Sequence, residues 1–223
     1  MKRRTGVVLL FTLFIILLPV FTLQAGQKAG PPGTDFHKLE QEVVKELNLA
    51  RTTPRTYSSY LKDMGRYFHG KELRRPGETI ILTKEGNTAV VEAIKFLKNV
   101  KPISPLKLSK GMSRGALDHV EVQGKSGTIG HGSGEGNQPW ERISRYGTWQ
   151  KTVGENIAYG WTRPRDVVIS LIVDDGIPGR GHRKNIFNPD FRVVGVAWGP
   201  HKIYGTMCVI IFAGDYLEKK DRN

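Results

Sequence analysis

Residues 181–198 read Gly-His-Arg-Lys-Asn-Ile-Phe-Asn-Pro-Asp-Phe-Arg-Val-Val-Gly-Val-Ala-Trp, a helical turn, a tight loop and a strand in succession. Proline drives the residue before it out of helical geometry, so Asn188-Pro189 closes the turn that starts at Gly181-His182-Arg183. The β-branched run from Val193 to Trp198 reads as a strand, Gly199-Pro200-His201-Lys202 as a hairpin loop, and Ile203 to Phe212 as the strongest strand. Upstream, Glu155 to Tyr159 in Gly154-Glu155-Asn156-Ile157-Ala158-Tyr159 reads as a short strand. Further upstream, Gly130-His131-Gly132-Ser133 belongs to a glycine-rich loop between Gly124 and Asn137.

Helices come first. Asp35 is placed to cap a helix whose Phe36, Leu39, Val43, Leu47 and Ala50 recur at three- and four-residue steps. Thr53-Pro54 ends it and opens a second, with Tyr57, Tyr60, Leu61 and Met64 on one face. Ala89, Val90, Ala93, Ile94 and Leu97 mark a third; Ser109 to Gln123 a fourth, carrying His119; and Trp140, Ile143 and Tyr146 a short fifth. From Asp166 to Val173 the apolar run suits helix or strand, and Thr162 as cap with Pro164 in the first turn favours helix. Tyr67 to Leu82, polar with glycine and proline, reads as a loop or insertion. Helices followed by late strands and a terminal hairpin predict a mixed α+β domain with helices packed on an antiparallel sheet.

Met1-Lys2-Arg3-Arg4, an apolar run from Val7 to Phe21 and then Leu23-Gln24-Ala25 form the pattern of a secretory signal peptide cleaved near Ala25. The run falls short of the roughly 20 residues that cross a bilayer, so no stable transmembrane segment is expected after cleavage. The chain then divides into a signal (1–25), a flexible leader with Gly30-Pro31-Pro32-Gly33 (26–34), a folded domain (35–216) and a charged tail (217–223). With 34 Lys and Arg against 21 Asp and Glu, the surface suits anionic surroundings such as lipid head groups or wall polymers. The basic residues are scattered and no nucleic-acid motif occurs, so no nucleic-acid partner is expected. A single cysteine, Cys208, excludes an internal disulfide, and its apolar neighbours Met207 to Ile211 make it a packing residue.

The order His131, Gly154-Glu155-Asn156-Ile157, Gly181-His182-Arg183, behind Glu46-Leu47-Asn48-Leu49-Ala50-Arg51 and Pro54, resembles the bacterial branch of the CAP superfamily. That superfamily takes in cysteine-rich secretory proteins, antigen 5 and plant pathogenesis-related proteins, the SCP-like extracellular proteins. The resemblance runs from Asp35 to Tyr216 and implies a three-layer α-β-α sandwich with a central, mainly antiparallel sheet. It also implies a cleft holding two histidines and two acids: His131, Glu155, His182, and Asp174 with Asp175 as the alternative. Aspartate is one methylene shorter than the family's usual glutamate.

Two neutral imidazoles, His131 and His182, would hold a divalent ion such as Zn2+ completed by water. The carboxylates would fix their tautomers by accepting the other ring N–H. The expected function is that of an exported protein, secreted or in the periplasm or cell envelope. Its cleft binds a small-molecule, lipid or cell-envelope ligand. The alternatives are a metal-assisted hydrolase of a peptide, ester or wall component, and a non-catalytic envelope-interaction or lipid-binding module. Ser133 lacks a Gly-x-Ser-x-Gly elbow, and the glycines around it lack the Lys and Ser/Thr of a phosphate loop. His119 is expected to make a buried hydrogen bond beside the cleft, while His37, His69 and His201 read as surface residues. Asn156 and Asn185 are expected to satisfy loop main chain, and Gly154 and Gly181 to let the backbone bend.

Overall fold

A computed structural model describes residues 34–132 and 137–220. The expected signal peptide, the leader up to residue 33, Ser133 and the last three residues of the tail lie outside the described residues. The elements run α1 (Phe36–Thr52), α2 (Pro54–Gly65), β1 (Phe68–His69), β2 (Glu72–Leu73), β3 (Ile81–Leu82), α3 (Asn87–Asn99), β4 (Lys107–Leu108), α4 (Lys110–Ser126), α5 (Pro139–Ser144), β5 (Gly147–Tyr159), α6 (Pro164–Val173), α7 (Gly181–Ile186), β6 (Val193–His201) and β7 (Gly205–Glu218).

β5, β6 and β7 pair antiparallel and β4 joins β6 in parallel, giving the order β4-β6-β7-β5 with β5 at an edge. Successive strand residues face opposite sides, and this sheet is apolar on both. Val194, Val196, Trp198, Cys208, Ile210 and Phe212 face a core built with α1, α2, α3 and α6. Val193, Ala197, Met207, Val209, Ile211 and Ala213 face a second core with Met112, Ala116 and Val120 of α4 and Ile143 of α5. The fold is thus a three-layer α-β-α sandwich with a mainly antiparallel middle sheet. α4 lies so close to β6 that a Cβ on Gly195 would come 2.3 Å from the carbonyl carbon of Met112.

The faces of α1 to α4 lie as their periodicity predicts, but in α5 only Ile143 of the expected set is buried: Trp140 is 47% exposed and Tyr146 lies past the helix end at Ser144. Val43, Leu47 and Ala50 of α1 are fully buried, and Asp35 accepts from Lys38 N. Arg51 is also fully buried and its guanidinium donates to four carbonyls: Ser104 (2.9 Å), Ile186 (2.6 Å), Asn188 (3.2 Å) and Phe191 (2.9 Å). One side chain of α1 therefore fastens the loop that leaves α7. Burial, aided by nearby Arg192, lowers its pKa to about 10.

Several local expectations need correction. Tyr67 to Leu82 contains β1, β2 and β3, a small antiparallel sheet of two-residue strands. β6 continues through Gly199 and Pro200 to His201, so the hairpin turn falls at Lys202–Tyr204. His201 is buried rather than on the surface. Its ring bridges Thr128 O and the main-chain N–H groups of Ile203 and Tyr204, whereas His37 and His69 are exposed. β5 starts at Gly147, before the expected Glu155, and includes an irregularity where Lys151 adopts φ 69°. α6 is a helix, with Arg163 rather than Thr162 at its N-cap. β7 runs to Glu218, two residues past the expected domain end.

Candidate functional site

Around the edge strand β5 the chain assembles two histidine–carboxylate pairs, one against each face. Glu155 and Ile157 point to the α4–α5 face, where Ile157 joins the second core, while Ala158 joins the core built with α6.

On the α4–α5 side, the glycine-rich loop after α4 carries His131 between Gly130 (φ 102°) and Gly132 (φ 119°), conformations that L side chains rarely adopt. His119 Nε2 (2.9 Å) and Gln123 Nε2 (2.8 Å) donate to Gly130 O, and Gly130 N donates to Tyr159 Oη (3.0 Å). The loop is clamped one residue before His131. His131 Nδ1 then donates to Glu155 Oε1 at 2.9 Å. The other oxygen of Glu155 accepts from Arg142 of α5, whose guanidinium also donates to His131 O (3.2 Å) and Asn137 O. Arg142 is fully buried, and burial lowers its pKa despite Glu155. Burial together with Arg142 lowers that of His119, and burial pushes Tyr159 up to about 12.

On the α6–α7 side, Asp174 ends α6 in the left-handed region (φ 56°, ψ 44°), a conformation that Asp tolerates better than most residues. Its carboxylate turns back to accept from His182 Nδ1 (2.6 Å) and His182 N (2.9 Å). Asp175 points elsewhere and accepts from Lys84 N (2.6 Å) and Glu85 N (2.8 Å). Arg183 holds the two segments together by donating to Ile172 O and Val173 O and pairing with Glu92 at 2.8 Å.

Asn185 and Asn156 join the halves. Asn156 Nδ2 donates to His182 O (3.0 Å), and Asn185 Nδ2 donates to Asn156 Oδ1 (2.9 Å) and Glu155 O (3.3 Å). The glycines of the motif act differently from expectation. A Cβ on Gly154 would come 2.8 Å from the Phe191 ring, so its role is close approach. The bend before His182 is made by Arg180 (φ 54°), and Gly181 has open space around it.

A carboxylate only accepts, so both Nδ1 atoms carry protons when the rings are neutral and both Nε2 atoms present lone pairs. That is the arrangement of metal-ligating histidines. Among the described residues, however, no group of three or more His, Cys, Asp or Glu side chains is arranged to hold a metal ion.

His182 and Asp174 stand at one end of a cavity of about 830 Å3. The cavity follows the edge of β5 from Ile157 to Tyr159 and on to Arg163. One wall is α6 with Ile80 and the β3 residues Ile81 and Leu82; the other carries Ile129 and Tyr204. Neither His131 nor Glu155 lines it. Ile80 (54 % exposed), Leu82 (60 %), Ile129 (39 %) and Ile177 (39 %) leave apolar surface at its rim. Sequence reasoning missed Arg142, Tyr159 and the β3 wall. An arginine in Pro139-Trp140-Glu141-Arg142 carries no sign of burial, and a two-residue strand has no period.

The model of the cysteine-rich secretory protein family (CAP) matches residues 73–213, more than half of the chain. A protein of Bacillus subtilis (strain 168), YkwD, is 30% identical over 109 residues, covering 49% of this chain and 40% of that protein. The chain thus spans less than half the length of this curated relative. Among solved structures, an outer surface protein from Borrelia burgdorferi is similar with TM-score 0.42 and 21% identity, covering 50% of this chain and 78% of that one. An extracellular protein containing a SCP domain from Bacillus anthracis str. Ames gives TM-score 0.38 and 18% identity, covering 57% and 37%. A cysteine-rich secretory protein from Staphylococcus aureus gives 0.39 and 14%, covering 62% and 42%.

Proposed function

The chain belongs to the cysteine-rich secretory protein (CAP) family, and on that premise we propose an exported protein whose groove beside β5 binds an apolar ligand. His182–Asp174 is the polar group at one end of that groove. The observation that carries this reading is the cavity itself. It is large enough for a small ligand, has apolar side chains along its rim, and ends in a histidine whose Nδ1 is already held. The N-terminal pattern from Met1 to Ala25 supports export. Among the described residues no helix is long and apolar enough to cross a membrane.

Titration with anilinonaphthalenesulfonate, a dye that fluoresces in apolar sites, tests the groove. Wild-type protein is expected to bind the dye, and Leu82→Asp and Ile177→Asp, both at exposed rim positions, to weaken binding with thermal unfolding unchanged. Equal binding by the variants would place the dye elsewhere and end the groove reading.

A second reading rests on the two held Nδ1 atoms. His131 and His182 would present Nε2 to a divalent ion such as Zn2+, with water completing its shell and supplying Lewis acidity for hydrolysis. Calorimetric zinc titration of metal-stripped protein decides it. One site, lost in both His131→Ala and His182→Ala, supports the pair; no heat from the wild type removes metal-assisted hydrolysis from consideration.

A further inference from the structure

β5 has β7 on one side and, among the described residues, no strand on the other. In an antiparallel ladder the hydrogen-bonded pairs alternate, so alternate residues turn their N–H and C=O to the opposite edge. Gly160 N donates to Thr206 O at 2.9 Å, and the register continues as Ala158↔Cys208, Asn156↔Ile210 and Gly154↔Phe212. These residues pair with β7. The main chain of Glu155, Ile157 and Tyr159 therefore points outward. Asn185 supports the phase independently, because its amide reaches Glu155 O from that outer side at 3.3 Å. Asn185 fills the Glu155 position. Among the described residues nothing fills the outward positions at Ile157 and Tyr159, and both residues line the groove.

Resting on the groove reading above, we propose that the occupant is an extended peptide, apolar at alternate positions, that adds a strand to β5. An acyl chain in the same place would leave the donors and acceptors of Ile157 and Tyr159 unpaired, a loss of about 1–3 kcal/mol for each group cut off from water. A peptide main chain matches their spacing residue for residue. Strand side chains alternate between faces, so a peptide here sends one set towards Ile80, Leu82 and Leu171 and the other towards Ile129 and Tyr204. Asn185 marks one limit of pairing, and the chain passes from β5 to the α6 N-cap at Arg163 at the other.

The test uses the full chain and blocked synthetic peptides with Val, Ile or Tyr at alternate positions and Thr or Lys between. The peptides are expected to displace the dye and to slow amide exchange at Ile157 and Tyr159 about tenfold. N-methylation of the peptide at every second residue is expected to weaken binding about tenfold in one phase and little in the other, because only one set of N–H groups meets the strand. Equal tolerance of both phases overturns the proposal. So does dye displacement by dodecanoate but by no peptide, and that result leaves the apolar groove standing with an acyl occupant. Self-association of the chain through β5, seen as exchange protection that grows with protein concentration, also overturns it. If the dye never binds and no peptide slows exchange, the groove reading fails with it.

Discussion

Replacing Asp174 tests how His182 is held. The carboxylate is almost fully buried, accepts from the ring and main-chain N–H of His182, and sits at φ 56°. Asp174→Ala removes both acceptors. Each bond to a charged group contributes about 1.5–3 kcal/mol, and an alanine in left-handed geometry costs a further 1–2 kcal/mol. Water reaches His182, whose side chain is 23% exposed, and recovers part of the loss. The expected destabilisation is about 3–5 kcal/mol, a large share of a stability of roughly 5–15 kcal/mol. Asp174→Asn keeps the backbone tolerance and an acceptor for His182 N, so it should cost only about 1–2 kcal/mol. Its amide nitrogen then faces the ring, and Nδ1 becomes the acceptor while Nε2 gains the proton. Urea denaturation reads the energies, and nitrogen NMR of the imidazole reads the tautomer. An alanine variant within about 1 kcal/mol of wild type, or an asparagine variant that keeps the Nδ1 proton, would refute this account of the site.

Two further outcomes follow from other charges. Arg142→Met strands the buried Glu155 carboxylate with only His131 as partner and is expected to cost about 3–5 kcal/mol, measured by thermal unfolding. Adding Glu155→Gln should return part of that loss, whereas two independent sites would add. Glu85 is held down to about 2 by its hydrogen bonds from Arg180, and Glu92 is lowered by the same guanidinium. Unfolded carboxylates take up protons first, so the stability these groups contribute is present above their ordinary range and lost as pH falls from 4.5 towards 2. Denaturation across that window should show a shallower decline in Glu85→Gln; an unchanged slope would mean the pair adds nothing.

What the sequence shows and what it hides divide along physical lines. Helical faces such as Val43, Leu47 and Ala50 repeat with the helix and are buried accordingly. The motif residues Glu155, Asp174, His131 and His182 come together in pairs because each stands beside a local bend or clamp. The choice between Asp174 and Asp175 was not legible, since it depends on which residue takes left-handed geometry at the end of α6. Nothing in their local sequence marks Arg51 and Arg142 as buried, yet both are fully buried, one among carbonyls and one on Glu155. The β1–β3 sheet is too short for a two-residue period, so the wall it builds against β5 emerges only from tertiary packing.

The central claim, that the groove beside β5 is where this chain binds, is tested most directly by methyl NMR of isoleucine-labelled protein titrated with the apolar dye. The account predicts saturable shifts at Ile80, Ile129 and Ile177, which line the groove, and none at Ile143 and Ile211, which are fully buried under α4. Shifts confined to other methyls, or none at saturation, would contradict it.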